Sequence, residues 1–279
     1  MAAGEGVCKI TRRNRFPELD RKLVDDCRER FPEARPLVVH DVGCSSAISS
    51  LELFDRLKAQ RTVEVHASDL FDRLYLVDVP KEAWTVIFDA AREPLQLVNR
   101  WFVLSARAPA PWRYPVNRLV QRSASRRLVP LARELLKRHL SGDAEADVIR
   151  AVSLFHPCAV RRASEGSGFI LRRHNLFEPN PVGAHVVRAM NVLTTDHFSP
   201  ERVREGIRSC AANLLPGGLL VLGRSIDEED GRTRASAYRI GPRSTDEVWR
   251  INEGYESPEL VADAMGQAPG ESRNSKEPS

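Results

Sequence analysis

Long apolar runs are missing from this 279-residue chain. No stretch approaches the ~18 consecutive apolar residues that a membrane-spanning helix needs, so an integral membrane protein is not expected. Cysteine pairs are missing as well. The five cysteines (Cys8, Cys27, Cys44, Cys158 and Cys210) are scattered and odd in number, with no Cys-x-x-Cys spacing. That argues against a disulfide framework and for reduced thiols in a cytoplasm. Met1-Ala2-Ala3-Gly4-Glu5-Gly6 also lacks the basic and apolar regions of a secretory signal. His156 and Cys158, either side of Pro157, have no second ligand pair nearby, so no metal site is expected. Neither glycine-rich phosphate loop is present: the one strand–turn–helix stretch has Gly43 as its only glycine, which disfavours a nicotinamide-dependent reductase.

What is present is ordinary for a globular protein. Hydrophobic residues make up 42% and charged residues 29%, enough for one large α/β domain or two small ones with a substantial core. The organising stretch is Leu37-Val38-Val39-His40-Asp41-Val42-Gly43-Cys44-Ser45-Ser46-Ala47-Ile48. An apolar, β-branched run stops at an acid, small residues follow, and Ile48 to Lys58 reads as a helix. A parallel strand covered on both faces requires such a run. Small residues after it let backbone approach a ligand, while the next helix turns its free N–H groups to the same spot. The alternative is a buried strand and turn with no ligand.

Thr62-Val63-Glu64-Val65-His66 reads as a second strand, closed by Asp69. An acid there can accept two hydrogen bonds from ribose hydroxyls, or it can cap a helix. Further on, Phe169 to Arg173, Ala184 to Leu193 and Leu219 to Gly223 read as strands, with a helix from Pro200 to Leu215. Asp41, Asp69, Asn175 and Asn191 all fall at strand ends, where open α/β sheets hold their ligands. The chain closes on the strands Ala235–Ile240 and Glu247–Ile251, a short helix from Pro258 to Met265, and a polar tail over 266–279 expected to be disordered.

The spacing Asp41-x-Gly43-x-Ser45-x-Ala47 resembles the first motif of the class I S-adenosylmethionine (SAM) methyltransferases, an acid followed by alternating glycines. Asn191-Val192-Leu193, Phe198 and Leu215-Pro216-Gly217-Gly218-Leu219-Leu220-Val221-Leu222-Gly223 resemble the chemotaxis-receptor glutamate methyltransferase branch of that class. The likeness covers about 37–69 and 168–224. It implies a Rossmann-like α/β fold, mostly parallel with an antiparallel last strand, over a methyltransferase domain at 37–265. It implies SAM as cofactor, with Gly43 and Ser45 against its methionine part, Asp69 on its ribose, Asn175 and Leu176 on its adenine, and Asn191 at its amino-acid end.

Outside that likeness lie residues 1–36, expected as an N-terminal helical segment with its helix near Pro17 to Arg30, and 70–150, expected as an insertion or cap that selects the methyl acceptor. Trp84–Asp89, Pro94–Val98 and Trp101–Leu104 suggest a hairpin, and Asn117 to Leu140 a helix. From Arg107 to Leu140 nine Lys or Arg stand against Glu134 alone, in a chain whose net charge is only +4. Such a face attracts nucleic acid, anionic lipid or an acidic substrate, or is simply a solvated arginine-rich helix. Aromatics are sparse among the arginines and no RNA-binding signature occurs, so nucleic acid is not the expected partner.

The expected activity is methyl transfer to a hydroxyl or carboxylate of a small, anionic acceptor, with Trp101, Trp112 and Tyr114 suggesting an aromatic contribution. The alternative is a methyltransferase-like binding or regulatory protein without catalysis. Asp196 and His197 are the candidate acceptor-side base, or merely residues preceding a helix, with His156 the second choice.

Overall fold

The computed structural model describes residues 13–32, 36–106, 115–142, 148–180, 182–226, 232–241 and 244–266. Trp112, Tyr114 and 267–279 of the expected tail lie outside them. Two compact units divide the described residues: a larger one within Thr11–Leu70 and Pro157–Ser279, and a smaller one within Phe71–His156.

The larger unit is a Rossmann-like α/β sheet. Its elements are helix α1 (Pro17–Arg30), strand β1 (Leu37–Val42), helix α2 (Ile48–Lys58) and strand β2 (Val63–Asp69). After the smaller unit come helix α4 (Pro157–Ser164), strands β8 (Phe169–Arg173) and β9 (Ala184–Met190), and helix α5 (Pro200–Ala212). Strands β10 (Leu214–Ser225), β11 (Thr233–Ile240) and β12 (Thr245–Ile251) and helix α6 (Pro258–Ala264) complete it. The seven strands are ordered β12-β11-β10-β9-β1-β2-β8, and β10, β9, β1, β2 and β8 are mutually parallel.

The reversal falls one strand earlier than the sequence suggests. β11 runs against β10, and β12 reverses again to lie along the parallel set. The reason is the short connection over 226–232: parallel neighbours need a crossover of a dozen residues or more, and so short a link can only return antiparallel.

Helices cover both faces. On one, Phe54 of α2 meets Phe169 of β8 with ring centroids 5.4 Å apart. On the other, Val203, Ile207 and Cys210 of α5 and Leu260 and Val261 of α6 pack on Val187, Ala189, Leu220 and Leu222. Ser199 caps α5 by accepting the Arg202 amide, and Pro200 occupies its first turn. Gly206 lets α5 settle, since a Cβ there would lie 2.4 Å from Leu193 Cδ2 and 3.0 Å from Leu176 Cδ1. Helix α1 belongs to this unit, and Asp20 on its inner face bonds to Arg188 of β9.

The smaller unit is a five-stranded antiparallel sheet, and the hairpin read from the sequence is one part of it. Its strands are β3 (Arg73–Val79), β4 (Trp84–Phe88), β5 (Pro94–Val98), β6 (Val103–Ser105) and β7 (Ile149–Ser153), ordered β6-β5-β4-β3-β7. Helix α3 (Pro115–Leu140) lays Ala124, Leu128, Ala132 and Leu136 on Val77, Val86, Phe88 and Leu97. Because β3 follows Asp69 so closely, no helix exists there for Asp69 to cap.

Candidate functional site

The strand order fixes where a ligand would sit. The chain moves outward from β1 through β2 to β8 and then returns to β9 on the other side of β1. The crevice at the carboxyl ends of β1 and β9 is therefore the topological switch point, the usual ligand position in open α/β sheets.

The loop from β1 into α2 occupies that point. Gly43, Ser45 and Ala47 all have left-handed backbone, with φ of 67°, 57° and 61°. These are the three alternating positions that the motif reserves for small residues. Serine and alanine sit in a conformation that costs an ordinary L-residue roughly 1–2 kcal/mol and glycine almost nothing. A surrounding structure that tolerates that cost twice in one loop fixes the loop's shape tightly.

Several hydrogen bonds tie the loop to neighbouring strand ends. The Ser45 amide donates to Asp69 Oδ2 at 2.8 Å, and the Cys44 amide to the Ser68 carbonyl at 3.0 Å. The His174 amide donates to the Asp69 carbonyl at 3.1 Å, which puts the turn after β8 beside the same acid. Asn191, itself at φ 59°, accepts the Ser225 amide on Oδ1 at 2.8 Å and so joins the ends of β9 and β10. Val192 packs on Gly43. Gly43, Ser45, Asp69 and Asn191 thus share one rim.

Asp41 does not point to that rim. It is 3% exposed, and its carboxylate accepts Arg188 Nε at 3.0 Å, Arg188 Nη2 at 2.6 Å and the Ser50 hydroxyl at 2.5 Å. Arg188 Nη1 donates to Asp20 Oδ1 at 2.7 Å, and the Phe16 ring lies 5.8 Å from the guanidinium carbon. Asp41 is therefore engaged in a buried ion triad and holds the loop from beneath. The signal was visible in the sequence: an arginine inside the apolar strand Ala184–Met190 requires a buried acid partner.

One guanidinium faces two carboxylates, and they share it unequally. Asp41 takes two of its N–H groups, Asp20 one. Burial and the neighbouring Asp41 charge lift the Asp20 carboxyl from 3.8 to about 6, against the pull of Arg188. A folded-state pKa above the unfolded one makes stability full below pH 3.8 and lowers it as pH rises through 6. About two pKa units correspond to a cost on the order of 3 kcal/mol above pH 6. Asp20→Asn keeps an acceptor for Arg188 without the charge. Thermal melts are expected to show it more stable than the parent at pH 8, with the advantage gone by pH 4. An equal difference at both pH values would refute this account of the triad.

The remaining sequence candidates take more local positions. Asn175 closes its own turn, accepting the Phe177 amide at 3.2 Å and donating to Glu178 at 3.0 Å. Leu176 packs beneath α5 with the hydrophobic core. Asp196 is ion-paired to Arg224 at 2.6 Å, which holds its carboxyl below the ordinary range and makes it a poor base. His197 is exposed just before α5.

The sequence reading missed a buried imidazole cluster. His40 Nε2 lies 2.8 Å from Ser68 Oγ, Asn180 Nδ2 lies 2.7 Å from His40 Nδ1, and the His40 ring centre is 5.4 Å from that of His174 and 6.4 Å from that of His66. Serine, histidine and an amide in line resemble a nucleophile with its base. The tautomer is wrong for that chemistry. Asn180 Oδ1 accepts the Val182 amide, so its Nδ2 donates to His40 Nδ1, and His40 Nε2–H then donates to serine instead of accepting from it. Ser68 is wholly buried. Burial and the adjacent imidazoles push His40 down to about 3, so it stays neutral. The cluster is a polar buttress under β1 and β2. Among the described residues no group of His, Cys, Asp or Glu has metal-binding geometry, and no helix is long and apolar enough to cross a membrane.

No protein-family model and no curated protein matches the chain. Among solved structures it is similar to the sugar N-methyltransferase KedS8 from Streptoalloteichus sp. ATCC 53650, at 12% identity and a TM-score of 0.37 over 94% of this chain and 80% of that one. It is similar to CalS10, a SAM-bound amino pentose methyltransferase from Micromonospora echinaspora, at 16% identity and 0.36 over 89% and 80%. Likeness to the citrinin polyketide synthase CMeT domain has 12% identity and a TM-score of 0.31 over 69% of this chain, which spans only 30% of that structure. At these values the likeness is a loose one of fold and assigns no chemistry to this chain.

Proposed function

We propose that the larger unit binds SAM at the switch point and transfers its methyl group to a hydroxyl or carboxylate of a small, anionic acceptor. One observation carries the reading: three consecutive alternate positions, 43, 45 and 47, are left-handed, and the loop they shape is bonded through the Ser45 amide to the acid closing β2. An anion cradle would need glycine-rich backbone around a phosphate. SAM has no phosphate, so a loop with serine and alanine at two positions fits it.

In this reading Gly43 and Ser45 flank the methionine part, Asn191 holds its amino-acid end and Asp69 accepts the ribose hydroxyls. A carboxylate has about four acceptor sites, so it can accept ribose hydroxyls beside the Ser45 amide. Asn175 is assigned to the adenine edge, with Leu176 as its apolar support. Asp41 becomes a positioning residue under the loop. When bound, SAM supplies a methyl group on an already activated sulfonium leaving group. The chain's own residues have to hold acceptor and cofactor in line, and a base is needed only for a hydroxyl. His197 is the residue assigned to take that proton. The likeness to receptor-modifying enzymes rests on the Asn191–Gly223 stretch alone, and no receptor substrate is proposed.

Calorimetry with SAM and with S-adenosylhomocysteine tests the reading, and binding of both is expected. Asp69→Ala should weaken both by about tenfold or more, the scale of a lost hydrogen bond to a charged group. His197→Ala should leave affinity unchanged and slow turnover on a panel of small hydroxylated and carboxylated anions. A protein that binds neither nucleoside overturns the proposal.

A further inference from the structure

The smaller unit presents an unusual surface. Among the described residues, seven of the ten exposed large apolar side chains belong to it. The four most exposed are Trp101 at 77%, Leu119 at 72%, and Val103 and Val116 at 67%. They come from the β5–β6 hairpin and the first turns of α3. The two are joined where Gln121 Nε2 donates to the Ser105 carbonyl at 2.5 Å, beside the β6 edge of the sheet. Helix α3 has 26 residues and is about 39 Å long, and Val116 and Leu119 in its first turns are exposed.

The hairpin tip is built to present its tryptophan. Asn99 Oδ1 accepts the amides of Trp101 and Phe102 at 2.8 and 2.7 Å, and the Phe102 ring stacks on Trp84. Trp101 is left pointing outward with the Arg100 guanidinium 5.1 Å from its ring. Along α3, Leu119, Arg122, Arg126, Pro130, Arg133 and Lys137 recur at helical spacing on the side away from the buried Gln121, Ala124, Leu128 and Ala132. Arg122, Arg126 and Lys137 have no carboxylate partner among the described residues. Between Glu93 and Glu134 the sequence contains eight arginines and no acid at all.

We propose that this edge docks on an anionic lipid bilayer, with Trp101, Val116 and Leu119 entering the interface and Arg100, Arg122 and Arg126 lying among the headgroup phosphates. Exposed tryptophan and aliphatic side chains beside unpaired arginines suit a surface that is apolar beneath a layer of negative charge. A nucleic acid would use the arginines but gives Leu119 and Val116 nothing to contact. The inference stands apart from the methyl-transfer reading, since none of these residues is in the larger unit.

Flotation of the full chain with vesicles of phosphatidylcholine, with and without phosphatidylserine, tests it. Binding is expected only with phosphatidylserine and should fall steeply with added salt. Arg122→Glu/Arg126→Glu should reduce vesicle binding at least tenfold. Trp101→Ala/Leu119→Ser, at unchanged charge, should reduce it several-fold while circular dichroism and thermal melting stay as in the parent. No binding to phosphatidylserine vesicles overturns the proposal. So does binding that ignores the Trp101/Leu119 pair, or tight RNA binding lost with the arginines but indifferent to Leu119.

Discussion

Arg188→Leu is expected to cost about 3–5 kcal/mol, because it strands Asp41 and Asp20, 3% and 2% exposed, as two like charges in an apolar setting. Domains are commonly stable by only about 5–15 kcal/mol, so one substitution would remove much of the folding free energy. The interaction is not strongly stabilising in itself. Taking three charges out of water is expensive, and their mutual attraction roughly repays it. The loss comes from removing one partner. Two measurements distinguish that account from a simple cavity. Urea melts of Arg188→Leu should show the deficit shrinking as pH falls from 8 to 5, because the stranded carboxylates take up protons, whereas a cavity is indifferent to pH. Replacing the whole set with apolar side chains (Asp20→Leu, Asp41→Leu and Arg188→Met, with Ser50→Ala to avoid an orphaned hydroxyl) should recover most of the loss. A deficit that is flat with pH and unrescued by the combined variant would sink this view of the triad.

The triad also marks the boundary of what the sequence allowed. Strands β1, β2 and β9 were legible because buried parallel strands need unbroken apolar runs, and α1 and α5 because their apolar positions repeat with helical period. The smaller unit was legible only in part. β3 begins at Arg73, four residues after β2 ends, and its alternation is that of a half-covered sheet, which a turn signal after Asp69 obscures. For the site, residue type and strand-end position located Asp69, Ser45 and Asn191 near one another, since topology alone brings strand ends to one rim. Topology does not say which way a side chain leaves the strand. Asp41 is one residue before the end of β1, and the pleat turns it toward α1 and α2 instead of the crevice. Asn175 satisfies its own turn, a short-range choice that competes with any ligand and leaves no periodic trace.

Gly43→Ala is the second large effect, and it bears on why glycine stands at only one of the three alternating positions. At 45 and 47 the left-handed backbone is accepted with side chains present, so the cost there is conformational and local. At Gly43 a second cost is added, because a Cβ would lie 2.9 Å from both Cβ and Cγ2 of Val192. Val192 is held by the strand end of β9 and has nowhere simple to go. The left-handed cost of roughly 1–2 kcal/mol plus overpacking of about 1–3 kcal/mol gives a loss of about 2–5 kcal/mol. Displacing the loop would also move the Ser45 amide away from Asp69, so on the proposed reading SAM affinity should fall with stability. Val192→Ala in the Gly43→Ala background removes both Cγ contacts but keeps the Cβ at 2.9 Å, so it should return part of the overpacking share and leave the conformational share, a partial rescue that thermal melts can read directly. Ser45→Gly should go the other way, stabilising by up to about 1 kcal/mol, since it relieves the same backbone cost without any clash. If Gly43→Ala is as stable as the parent, or if Val192→Ala fails to relieve it, then Val192 is not what keeps glycine at this position.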